Sequence, residues 1–168
     1  MPKIIENVRE ALLTEAKRQI SERGYKATTI RSVAAGCCVA VGTVYNYFSS
    51  KDMLVASFML EDWIEVIAWL KSAPKDDAKK YLFDVYSALC SFSEKHRALF
   101  CDKEAAKVYN SVFYERHRQL RSQLAELMLP ICSGEQFTAE FVSESMLTWT
   151  MAGKDFESIY SVIKKIII

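Results

Sequence analysis

Gly24-Tyr25-Lys26-Ala27-Thr28-Thr29-Ile30-Arg31-Ser32-Val33-Ala34, continued by Val41-Gly42-Thr43-Val44-Tyr45-Asn46-Tyr47-Phe48-Ser49-Ser50-Lys51, is the stretch that decides the fold. Thr28-Thr29 opens a short helix from Ile30 to about Gly36, because a Thr hydroxyl accepts from the free N–H groups of a first turn. A turn follows near Cys37–Val39, and a second short helix covers about Val41–Tyr47. Two short helices on a tight turn form a helix-turn-helix, which lays its second helix in the major groove of DNA. Gly42 and Thr43 permit close approach. Thr43, Tyr45, Asn46 and Tyr47 supply hydroxyls and an amide, and Asn suits bidentate contact with adenine. Lys51 starts the next helix, where its ammonium and the helix N-terminus can both face a phosphate. Val33, Ala34, Val39, Val44 and Phe48 are the apolar residues that hold such a domain together.

Outward from this stretch the chain reads as helix almost throughout. Upstream, Ile5, Val8, Leu12, Ala16 and Ile20 recur at helical spacing, predicting a helix from about Ile4 to Glu22 that Gly24 ends. Downstream, Ser49 with Asp52 has the form of a capping box for a long fourth helix reaching about Lys71, with Leu54, Phe58 and Trp63 on its buried side. Ala73-Pro74-Lys75 then breaks the chain. Helices are expected over about 76–94, 96–102, 103–129, 136–151 and 155–167, with breaks at Pro130, Gly134 and Gly153. The pattern predicts an all-α fold: an N-terminal three-helix helix-turn-helix domain over 1–51, and a C-terminal helical bundle over 52–168.

Charge and composition narrow the function. The 168 residues are 51% hydrophobic and carry a net charge of +1. Residues 1–51 hold eight Lys and Arg against four Glu, a net +4, so the remainder carries −3. A basic first third suits a segment that meets phosphate. The sequence shows no signal peptide and no apolar run of the ~18–20 residues that span a bilayer, so a cytoplasmic protein without membrane contact is expected. The five cysteines (Cys37, Cys38, Cys90, Cys101, Cys132) lack ligand spacing and read as reduced thiols, with no metal and no cofactor expected. No nucleophile elbow, phosphate loop or paired carboxylates suggest an enzyme.

Residues 8–54 carry a resemblance. Leu12-Leu13 and Ala16, Gly24-Tyr25, Thr28-Thr29-Ile30-Arg31, Val33-Ala34, and Gly42-Thr43-Val44-Tyr45-x-Tyr47-Phe48-x-Ser50-Lys51 agree in order and spacing with the DNA-binding domain of the tetracycline-repressor (TetR) family, which this stretch resembles. The resemblance implies phosphate contacts from Thr29, Tyr45, Tyr47 and Lys51, and base-facing positions at Arg31, Val41, Gly42, Thr43 and Asn46. Thr28 joins these as a DNA-contact candidate. Three departures stand out. Ile20 replaces the usual aromatic. Cys37-Cys38 replaces Ala-Gly at the turn, where positive φ on a non-Gly residue costs of order 1 kcal/mol. Ala40 replaces a Ser at the start of the reading helix, removing an N-cap worth ~0.5–2 kcal/mol.

Beyond Lys51 the resemblance fades. The family's final helices form a dimer interface, which implies such a role for Phe141, Met146, Trp149, Phe156, Ile159, Tyr160 and Ile163; the competing reading packs this apolar stripe inside its own subunit. A homodimer would set two reading helices one DNA turn apart, ~34–36 Å. The aromatic middle helices offer Tyr86, Phe100, Tyr109 and Phe113, with His117 and His96 as polar groups, as the wall of an effector pocket in a ligand-binding and dimerisation bundle, or as ordinary core. The function expected is a sequence-specific transcriptional regulator, a repressor released from double-stranded operator DNA by a small-molecule effector. The alternative is a helical protein-binding module of the same fold without DNA readout.

Overall fold

The computed structural model describes residues 7–103, 105 and 114–167, with the backbone alone for 114–117. Among the described residues there are nine α-helices and one 3-10 turn, and no strand. In chain order the helices are α1 (Val8–Ala27), α2 (Ile30–Gly36), α3 (Val41–Tyr47), α4 (Lys51–Ser72), α5 (Ala78–Lys95), α6 (Arg97–Phe100), α7 (Tyr114–Met128), α8 (Gln136–Met151) and α9 (Phe156–Ile163), with the 3-10 turn at Leu129–Cys132. The chain divides into two compact units, one drawn from Met1–Asp62 and His96–Ser111, the other from Trp63–Lys95 and Val112–Ile168. The division therefore falls inside α4, not at 51/52, because the first turns of α4 supply core to the reading unit.

In the first unit, α1 packs on α2 and α6, and α2 on α3. Leu12, Leu13, Ala16 and Ile20 of α1 are buried, as are Ile30, Val33 and Ala34 of α2, Val44 of α3, Phe48, and Leu54, Val55 and Phe58 of α4. The expected α1 stripe thus forms from Leu12 onward, while Ile4 and Ile5 lie outside the described residues. Gly24 sits at φ 82, ψ 168, a left-handed conformation glycine adopts without a Cβ penalty, so the regular helix ends there and one further turn reaches Ala27. The cap of α4 is one residue later than the sequence suggested. Ser50 Oγ accepts from Met53 N at 3.1 Å, and Asp52 is taken instead by the Tyr25 hydroxyl.

In the second unit, α8 packs against α5, α7 and α9. Tyr81, Leu82, Val85 and Leu89 of α5 are fully buried alongside Leu124, Met128, Val142 and Met146. Trp63 meets Phe92 edge-on at 5.4 Å between centroids, and its indole N–H donates to Gln123 Oε1 at 3.3 Å. Four residues expected at a dimer interface are core here: Met146, Phe156, Ile159 and Ile163 are all at least 93% buried within one chain. Sequence periodicity marks an apolar face but not what covers it, and α5 and α8 cover this one. Of the remaining residues expected at that interface, Phe141 and Trp149 are exposed and Tyr160 is half-buried, and Phe137 and Val162 add to the exposed apolar surface of α8 and α9. The last helix is also shorter than expected, running from its cap Asp155 only to Ile163. No described helix is long and apolar enough to cross a membrane.

Candidate nucleic-acid interface

The reading unit is organised around a turn that retains its shape despite its sequence. Cys37 has φ −89, ψ 0, and Cys38 takes the left-handed conformation at φ 55. Three backbone bonds close it: Cys37 N to Val33 O at 3.1 Å, Cys38 N to Ala35 O at 3.1 Å, and Val39 N to Ala34 O at 3.0 Å. The Cys37 thiol donates to Ala11 O at 3.4 Å, tying the turn to α1. Burial pushes that thiol's pKa up, and the nearby Glu15 carboxylate adds to the effect. The protonated form is therefore favoured, which disfavours reactivity at Cys37.

The reading helix α3 starts at Val41 on Ala40, which offers no side-chain cap. Val44 is fully buried and fixes the helix to the unit. That anchor leaves Gly42, Tyr45, Asn46 and Tyr47 exposed, with Val41 and Thr43 half-buried. Tyr45 and Tyr47 are 54% and 48% exposed, unusual for rings on a helix whose apolar face is satisfied. Arg31 is exposed on the first turn of α2.

Thr29 is the N-cap of α2. Its Oγ1 accepts from Ser32 N at 3.0 Å, while Ser32 Oγ accepts from Thr29 N at 2.9 Å. This is a reciprocal capping box. Thr29 is exposed, so its hydroxyl can still donate outward. Thr28 differs from the expectation. It is fully buried and its hydroxyl donates to Gly24 O at 3.0 Å, so it closes the end of α1 and does not reach a surface. Lys51 also differs. Its ammonium donates to Tyr25 O at 2.9 Å and lies 3.7 Å from the Tyr25 ring centroid. In this conformation it clamps α4 to the end of α1, and a phosphate contact requires it to turn outward.

Several supporting residues escaped the sequence reading. Gln19 is 2% exposed and bridges α1 to α2. Arg9 lies over the Phe48 ring at 5.7 Å and pairs with Glu61 at 2.5 Å. Asp62, 4% exposed, receives Lys17 at 2.7 Å and faces His96 Nε2 at 3.1 Å. His96 stacks on Phe58 at 5.9 Å, so it is a core histidine joining α4 to the start of α6. Polar residues within apolar periodicity were the only available signal, and periodicity counts them as breaks.

Of the effector-pocket candidates, the side chains of Tyr86 and Phe100 are among the described residues. Tyr86 is half-buried and donates to Lys154 O at 3.1 Å. Phe100 is 42% exposed. The two belong to different compact units. Tyr109 and Phe113, and the side chain of His117, lie outside the described residues. Among the described residues no group of three or more His, Cys, Asp or Glu could hold a metal ion.

Comparison with known proteins places this geometry. The family described as Bacterial regulatory proteins, tetR family, matches residues 12–58. The transcriptional regulator HbdR of Aromatoleum sp. (strain CIB) is 39% identical over 51 residues, which is 30% of this chain and 22% of that protein. The match therefore spans less than a quarter of that relative's length. Among solved structures, a TetR-like transcriptional regulator from Rhodococcus sp. RHA1 superimposes with a TM-score of 0.60 at 18% identity, over 98% of this chain and 96% of that one. The TetR family repressor AlkX from Dietzia sp. strain DQ12-45-1b gives 0.65 at 12% identity, over 94% and 98%. These likenesses extend the shared fold beyond the matched segment.

Proposed function

Since the chain carries the DNA-binding domain of the bacterial tetR family over residues 12–58, we propose that it is a transcriptional regulator, a repressor that reads operator DNA with α3. The observation that carries this reading is the outward face of α3. Val44 is buried, and Gly42, Tyr45, Asn46 and Tyr47 face solvent on a helix joined to α2 by an intact turn. Asn46, Thr43 and Arg31 reach base edges, and Thr29, Tyr45, Tyr47 and, once turned outward, Lys51 reach phosphates. Cys38 holds the turn in its left-handed form, which weighs against a module that has lost DNA readout.

The working form is a homodimer acting in the cytoplasm. Phe137, Phe141, Trp149 and Val162 leave an apolar face on α8 and α9, and a second copy covers it isologously. Residues 52–168 act as the effector-responsive part. A small molecule bound there changes the separation of the two reading heads and releases the DNA. The test is selection of duplexes from a random pool by the purified protein. Wild type enriches an inverted repeat with half-sites one turn apart, and Asn46→Ala with Tyr45→Ala enriches nothing. Equal enrichment by both proteins overturns the assignment of α3.

A further inference from the structure

We propose that Gln19 is a positioning residue of the reading head, whose buried amide sets the hydroxyl that Thr29 offers to the DNA backbone. The inference rests on the DNA reading above and names a residue of α1 that touches no DNA. Gln19 is 2% exposed, in a helix face otherwise lined by Leu12, Ala16 and Ile20. A buried amide carries a desolvation cost of a few kcal/mol unless every donor and acceptor is met. Here they are met. Nε2 donates to Ser32 O at 2.9 Å and to Glu15 Oε1 at 2.7 Å, and Oε1 accepts from Ser32 Oγ at 2.5 Å. Turning the amide over would set its oxygen against two acceptors, so the three partners fix its orientation.

The consequence runs through Ser32. A hydroxyl has one proton, and Ser32 Oγ lies closer to Gln19 Oε1, 2.5 Å, than to Thr29 O, 2.9 Å. Taking that proton, Gln19 fixes the Ser32 rotamer in which Oγ accepts from Thr29 N–H at 2.9 Å and so holds the Thr29 backbone in place. Ser32 N–H fills the acceptor side of Thr29 Oγ1 at 3.0 Å. Thr29 Oγ1 thus accepts from the helix and keeps its own proton to donate, on an exposed residue, to a phosphate oxygen. Glu15 steadies the other end. Arg18 grips its carboxylate at 2.7 and 2.9 Å. It rests so close to Gly36 that any Cβ there would collide with Glu15 Oε1.

The experiment is a double-mutant cycle on the duplex that wild type selects from the random pool, with affinity and thermal midpoint both measured. Gln19→Met keeps the volume and removes the amide. Thr29→Val removes the hydroxyl. Each single change is expected to weaken binding about five- to tenfold, the worth of one hydrogen bond. The double variant is expected to bind within about twofold of Thr29→Val. Thr29→Ser, which keeps the hydroxyl, is expected to recover most of the affinity that Thr29→Val loses. Multiplicative losses, or a Gln19→Met protein that binds as wild type while melting earlier, would show a purely structural amide and overturn the inference. If Gln19→Met does not fold, Ser32→Ala takes its place in the same cycle with the same expectation. A folded wild type that selects no duplex removes the DNA reading itself; a wild type that selects one while Gln19→Met matches it removes only the role of Gln19.

Discussion

At the scale of single residues, the reading head combines an apolar anchor with exposed polar groups. Val44 is buried and Asn46, two residues on, faces solvent. Asn46→Ala is expected to cost about 1–3 kcal/mol of discrimination at one adenine position and to leave the fold unchanged. Binding to single-base variants of the selected duplex measures it. Cys38 is the opposite case, a residue whose backbone works against its type. At φ 55 it occupies a conformation glycine adopts freely. Cys38→Gly is expected to raise stability by up to about 1 kcal/mol, read as a higher denaturant midpoint. The family resemblance exposed this position, because Cys stands here where the resembled family carries Gly. It did not expose Thr28. Two adjacent threonines look alike in a sequence, and only the backbone decides that Thr29 caps α2 while Thr28 turns inward to Gly24 O.

At the scale of elements, polar seams decide how the helices of the reading unit sit on one another. Glu15 on α1 is the plainest titratable member. Hydrogen bonds from Arg18 are the main cause holding its pKa at about 2, against an ordinary 4.5. A carboxylate depressed in the folded state stabilises above its unfolded value and loses that contribution as pH falls through its folded value. Glu15→Gln is therefore expected to melt earlier than wild type at pH 7, with the gap closing between about pH 4.5 and 2. Arg18 is nearly half exposed, so the gap is small. A larger effect is expected at Asp62, which is 4% exposed between Lys17 and His96. Asp62→Asn removes the charge partner of a partly exposed Lys17 and is expected to cost about 2 kcal/mol by denaturant unfolding. Helix boundaries were legible because Gly24, Pro74, Pro130 and Gly153 punctuate the chain. The seams were not, since Gln19, Asp62 and His96 bring together positions far apart in sequence.

At the scale of the whole molecule, the all-α architecture was readable from periodicity, and the solved structures share it along nearly the full chain. The assignment of apolar faces was not readable. Phe156, Ile159 and Ile163 belong to the core, and the exposed apolar surface of α8 and α9 includes Phe137, Phe141, Trp149 and Val162. Hydrophobic spacing alone gives the same stripe whether a neighbouring helix or a second subunit covers it. Trp149→Glu with Phe141→Glu is expected to convert the proposed dimer to monomer in sedimentation, and to weaken operator binding at least about a hundredfold by separating the two reading heads. The measurement that tests the account most directly is a footprint of wild-type protein on its selected duplex at about 50 and about 200 mM salt. The account predicts two symmetric protected half-sites one turn apart, with affinity falling about a thousandfold or more across that range. Protection of a single site without symmetry, or affinity indifferent to salt, would contradict it.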